Sequence, residues 1–146
     1  MKSQAFAMSI IYFCFLMLLS GVAPASPSTP LQTNINELVK NPALFNNKLI
    51  QLRAIVTTDY RHYITLNDDK TPLALGVALY VPKKISNKPS IDALMNQILT
   101  RPCQGMKKQV SATFIGIFEY HPGKIPNRTL KLTRVSDVKA TWVAID

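Results

Sequence analysis

Ser90-Ile91-Asp92-Ala93-Leu94-Met95-Asn96-Gln97-Ile98-Leu99 is the stretch on which the fold turns. Ile91, Leu94, Met95, Ile98 and Leu99 recur at helical spacing, Ser90 suits an N-cap, and Arg101-Pro102 stops the run. On both sides of it the period drops to two. Downstream, Val110, Ala112, Phe114, Gly116, Phe118 and Tyr120 alternate with Ser111, Thr113, Ile115, Ile117 and Glu119, the pattern of a strand with one buried face. A further strand is expected over residues 129–138, with Leu130 and Leu132 on one face; the tail carrying Trp142, Val143 and Ile145 adds a short edge strand or packs on the core.

Upstream, three strands are expected. Ile50, Leu52, Ala54 and Val56 alternate over residues 48–57. Residues 60–67 are rich in aromatic and β-branched side chains and end at the turn cluster Asp68-Asp69-Lys70-Thr71-Pro72. Over residues 73–81, Leu73, Leu75, Val77, Leu79 and Val81 share one face, and Ala74, Gly76 and Ala78 the other. Before these, Asn34-Ile35-Asn36-Glu37 reads as a capping box opening a short helix that Asn41-Pro42 ends. The order is therefore helix, three strands, helix, two strands. An all-β fold with added helices follows: a five-stranded Greek-key OB-fold barrel with a short N-terminal helix and a helix between strands three and four. A β-sandwich does not need that helix, and a ferredoxin-like fold needs one between the first two strands, where only Thr58-Asp59 stands.

The run Asn41-Pro42-Ala43-Leu44-Phe45-Asn46-Asn47-Lys48-Leu49-Ile50-Gln51-Leu52-Arg53-Ala54 resembles the opening of exported bacterial OB-fold proteins, in which a short helix leads into NP-x-x-[YF]-x-G-K-x-[IV]-x-[IV]-x-G. Asn47 and Ala54 stand where that pattern has glycines; Asn tolerates left-handed backbone and Ala is the next smallest residue. The stretch from Val110 to Phe118 resembles the fourth strand of the same group. The resemblance implies the fold and export, and no particular activity.

Export is also legible in the residues themselves. Lys2 precedes an uninterrupted apolar run from Ile10 to Leu19, Ser20-Gly21 breaks it, and Ala23-Pro24-Ala25 offers small residues to a signal peptidase. The expectation is a signal peptide over residues 1–25 cleaved before Ser26, a linker over 26–33, an OB-fold domain over 34–146, and a periplasmic or secreted protein with no stable membrane span after cleavage. The alternative is an uncleaved anchor, since the apolar stretch approaches the roughly 20 residues that span a bilayer. Removing 25 of 146 residues leaves 121, enough for one domain. Cys14 leaves with the signal, so Cys103 is the one mature cysteine and no internal disulfide forms.

Lysine and arginine number 17 against 8 aspartates and glutamates, and cleavage removes only Lys2, leaving a net charge of +8. Such an excess attracts polyanions. Catalytic signatures are missing: there is no GxSxG, P-loop, HExxH or CxxC, and neither Cys103 nor the set of Asp59, His62 and His121 has the company a nucleophile or a metal needs. The chain reads as a non-enzyme without cofactor or metal. OB-folds bind on their second and third strands and on the loops joining strands one to two and four to five. Here those loops carry Tyr60, Arg61, His62 and Tyr63, and Tyr120, His121, Lys124 and Arg128; Lys83, Lys84 and Lys88 extend the basic track. Rings stack on bases and cations neutralise phosphates, so single-stranded nucleic acid or another polyanion, such as an anionic glycan, is the expected ligand. The rival expectation is an envelope-assembly or secretion accessory that contacts an envelope protein.

Overall fold

The structure, a computed structural model, describes residues 28–58, 64–72, 75–84, 88–100 and 106–144. A short strand β1 (Leu31–Gln32) precedes helices α1 (Ile35–Lys40) and α2 (Pro42–Phe45). Strands β2 (Lys48–Thr58), β3 (Ile64–Asn67) and β4 (Val77–Tyr80) follow, then helix α3 (Lys88–Leu99) and strands β5 (Met106–Tyr120) and β6 (Arg128–Ala144). The chain is mostly β with few helices, as its periodicities require, and α3 stands between β4 and β5.

Helix α1 is too short to persist alone, so its cap and its packing hold it. Asn34 has extended backbone and its side chain accepts a hydrogen bond from the Glu37 amide at 2.9 Å, while Ile35 and Leu38 are fully buried. Thr33 Oγ1 in turn donates to Glu37 Oε2 at 2.8 Å. Asn34→Ala is expected to remove about 1 kcal/mol of stability. A urea titration should show a lower midpoint at unchanged slope; an unmoved midpoint would mean that the cap contributes nothing.

The centre of the sheet is the long antiparallel pairing of β2 with β5, which runs from Lys48 opposite Phe118 to Val56 opposite Val110. Ile50, Leu52, Ala54 and Val56 are buried with Val110, Ala112, Phe114 and Phe118, and the two small residues Ala54 and Ala112 face each other. Asn47 has φ 60° and donates its amide to the Phe118 carbonyl at 2.7 Å, so it takes the left-handed turn that enters β2. Six strands form one mixed sheet in the order β1-β2-β3-β4-β6-β5, and the additional β2–β5 pairing links β2, β3, β4, β6 and β5 in a circuit that leaves β1 outside. β1 with β2 and β4 with β6 are parallel; the other pairs are antiparallel. Helix α3 buries Ile91, Leu94 and Ile98, the i, i+3, i+7 stripe, and packs against β6.

Several boundaries differ from those the sequence suggests. Of the strand expected over 73–81, residues 73–74 lie outside the described residues and the strand begins at Val77: the Pro72 carbonyl accepts from the Leu75 amide at 2.8 Å, and Leu75 is exposed instead of sharing the buried face. Val77, Ala78 and Leu79 are all buried, so the alternation is lost in β4, while Tyr80 is half exposed. Ser90 does not cap α3, which begins at Lys88 and places Ser90 in its first turn. Pro42 ends α1 but also opens α2, since proline suits the first helical turn. The C-terminal tail is no separate edge strand; Thr141–Ala144 continue β6 and pair with β5 as far as Met106 opposite Ala144. Within the expected linker, Leu31 and Gln32 pair with Ile50 and Gln51. The strand expected over 60–67 is described from Ile64 onward; the signal region, Tyr60 to Tyr63, Arg101-Pro102 and Cys103 lie outside the described residues.

Candidate functional site

The β5–β6 turn carries half of the residues singled out by sequence. It leaves β5 at Tyr120, whose amide donates to Asn46 Oδ1 at 2.9 Å, and closes where the His121 amide donates to the Asn127 carbonyl at 2.8 Å. Gly123 supplies the positive φ of +82° that the turn needs, and the Ile125–Pro126 peptide is cis. Between them Lys124 is exposed and Ile125 is 93% exposed, so the tip presents an apolar side chain beside a cation. Arg128 is half-buried at the base: one guanidinium nitrogen donates to Asn127 Oδ1 at 3.3 Å, and its buried Nε has no partner.

At the adjoining strand ends, Glu119 ties two basic side chains together. Its carboxylate lies 3.8 Å from His121 Nε2 and 3.5 Å from Lys131 Nζ. Lys131 is registered beside Tyr80 of β4, which is half exposed, so an aromatic ring and a cation stand next to each other on the outward face. Neither Tyr80 nor Lys131 is marked as a site residue by sequence: their adjacency depends on the parallel β4–β6 pairing, which no local pattern encodes. The structure thus brings Tyr120, His121, Lys124 and Arg128 together on one turn and adds Tyr80 and Lys131. Tyr60, Arg61, His62 and Tyr63 lie outside the described residues.

Their flanks can nevertheless be followed. Thr129, just after the β5–β6 turn, is registered with Ala78, Ala78 with Thr65, and Thr65 with Thr57. The strand ends on either side of residues 59–63 and the base of the β5–β6 turn therefore lie along one hydrogen-bonded row, with β3 and β4 between them. Among the described residues no three His, Cys, Asp or Glu side chains gather as metal ligands would, while Asp59 and His62 are not among those residues. No described helix is long and apolar enough to cross a membrane.

The β3–β4 connection holds the clearest perturbed acid. Burial alone would raise the Asp68 carboxyl, but hydrogen bonds from the Thr71 side chain and the Lys70 and Thr71 amides, with the Lys70 charge, carry it below its ordinary value of 3.8. The two amides donate to Asp68 Oδ1 at 3.0 and 2.6 Å. A carboxyl lowered on folding adds stability above its unfolded value, and that contribution disappears as pH falls through the folded value. Asp68→Ala should therefore differ from the wild type in denaturation midpoint at about pH 6 and converge with it at about pH 2. A constant difference across that range would contradict the assignment.

No protein-family model and no curated protein matches the chain.

Proposed function

We propose that the chain is an exported, non-enzymatic OB-fold protein that binds a polyanion, single-stranded nucleic acid or an anionic glycan, on the face between residues 60–63 and the β5–β6 turn. Three features support the fold. The pairings β2-β3-β4-β6-β5-β2 form a circuit, α3 stands in the chain between β4 and β5, the third and fourth of its strands in sequence order, and the register is staggered as in closed, tilted sheets. The stagger is read by following partners: Thr129 leads to Ala78, and the next rung runs Val77, Leu66, Val56, Val110 and back to β6 at Ala140. A flat sheet returns no such offset. Export rests on residues 1–25, and the resemblance to exported bacterial OB-fold proteins stands with it.

The observation that carries the binding proposal is the outward group of Tyr80, Lys131 and His121 beside the exposed turn residue Lys124, with half-buried Arg128 at the base of that turn, in a chain with a net charge of +9 before cleavage. Exposed rings give sequence-tolerant stacking and the cations neutralise phosphate or sulfate. Replacing Arg61, Lys124 and Arg128 together by alanine should weaken binding of a fluorescent oligothymidine at least tenfold in anisotropy titrations. It should also flatten the salt dependence by about two units of slope, at roughly 0.7 for each phosphate no longer neutralised. Equal affinity and slope for the two proteins would move the site elsewhere.

A second reading, an envelope-assembly accessory acting through protein contacts, has one observation in its favour. Past Lys131, β6 pairs only with β5 among the described residues, leaving a strand edge beside half-exposed Trp142 and Val143. Such edges accept an added strand.

A further inference from the structure

Along β5, at the far end from the β5–β6 turn, the outward face of the sheet holds a groove of about 380 Å³. Arg53 and Ile55 of β2 and Ser111 of β5, each standing between buried core residues of its strand, line it with Gln109 of β5, and Thr141 of β6 joins them. Asn67, Asp68 and Asp69 close the side toward β3. The volume lies within the range of small-ligand sites.

Asn67 is the anomaly. It follows fully buried Leu66, so its side chain belongs to the outward face, yet it is only 3% exposed and neither its Oδ1 nor its Nδ2 has a hydrogen-bond partner among the described residues. Gly76 causes the burial: a Cβ there would run into Asn67 Oδ1 and the Thr65 methyl and stand 2.8 Å from the Leu66 carbonyl oxygen, so the bare backbone packs onto the carboxamide. An interior carboxamide with no partner is unfavourable, and leucine would fill the same space without that penalty. The residue makes sense where something entering the groove supplies the missing partners.

The lining selects the chemistry of that ligand. Arg53 only donates, the Asp68 and Asp69 carboxylates only accept, and Asn67, Gln109, Ser111 and Thr141 do both. With two acids to one base, the groove runs against the positive charge of the whole chain and does not favour phosphate. A hydroxyl both donates and accepts, so neighbouring hydroxyls match all three kinds of group, whichever way the Asn67 amide faces. We propose that this groove binds a neutral, hydroxyl-rich ligand, a saccharide unit, with Asn67 as its hydrogen-bonding floor. This is a second site, independent of the polyanion face.

The test is a titration of the ¹⁵N-labelled full-length mature protein with maltose, cellobiose and N,N′-diacetylchitobiose, with inorganic phosphate and glycine as non-saccharide probes. At least one disaccharide should give saturable shifts at the Asn67 side-chain amide and at the Gln109 and Ser111 backbone amides. Asn67→Leu should weaken that binding at least tenfold while unfolding at or above the wild-type temperature. The double variant Gln109→Ala, Ser111→Ala, at two half-buried lining positions outside the core, should weaken it too, which keeps the test decisive if the leucine variant does not fold. Saturation by phosphate or glycine alone, shifts centred elsewhere, no saturation by any disaccharide, or unchanged binding in the variants would overturn the proposal.

Discussion

Phe114→Ala is expected to lower the free energy of unfolding by about 3–5 kcal/mol. Phe114 is fully buried at the middle of β5, registered with Leu52 of β2 on one side and Val135 of β6 on the other, both themselves buried. Its ring projects from β5, which is held between its pairings with β2 and β6, into the hydrophobic core. Truncation removes the apolar area and leaves a cavity, since the flanking strands are tied by their own hydrogen bonds and cannot close over it. Domains of this size have about 5–15 kcal/mol in all, so the variant should lie near the edge of folding. Chemical denaturation with circular dichroism measures it; a loss below about 1 kcal/mol would place Phe114 outside the core that the register implies.

The second large effect concerns Gly116, two residues on. It faces the interior between Phe114 and Phe118, at one of the two register shifts in the β5–β6 pairing. A Cβ on it would collide with the Lys131 carbonyl oxygen, and would stand 3.0 Å from the Lys131 carbonyl carbon and 3.2 Å from Leu130 Cδ1. Two of these three atoms are backbone, which has no rotamer to escape into. Gly116→Ala should therefore cost about 1–3 kcal/mol, and Gly116→Val more, by prying β6 from β5. Hydrogen exchange would show the damage as lost protection of the amides around Leu130 to Leu132. A stable Gly116→Val with native exchange would contradict so close an approach of the two strands.

These two positions also show how far the sequence reaches. The alternation from Val110 to Phe118 declares a strand with a buried face because each residue obeys one local rule, and the structure buries every second side chain of it. Asn34 and Glu37 are legible for the same reason, three residues apart on one turn. Boundaries fail where two rules compete. Leu73 to Val81 alternates as a strand should, but Leu75, whose amide donates to the Pro72 carbonyl, is exposed, and the burial of Val77, Ala78 and Leu79 alike erases the period in the rest. Ser90 is a good cap residue, yet the helix gains another half turn through Lys88, whose Nζ lies 2.6 Å from Asp92 Oδ2.

The site residues divide in the same way. Tyr120, His121, Lys124 and Arg128 are close in the chain, so a turn between two strands is enough to group them. Tyr80 and Lys131 meet only through a parallel pairing across 51 positions, and Asn67 becomes buried only because Gly76 lacks a side chain. Contacts of that kind follow from topology and not from local composition. For the same reason the charge of the whole chain is a poor guide to the groove beside Asn67, where acids outnumber the base.

The central proposal, a cationic and aromatic face that binds polyanions, is tested most directly by titrating the protein without residues 1–25 with single-stranded DNA across a salt series. The logarithm of the association constant should fall linearly with the logarithm of salt concentration, by about 0.7 for each phosphate contacted. Absence of binding at low salt, or an affinity that salt does not change, would contradict it.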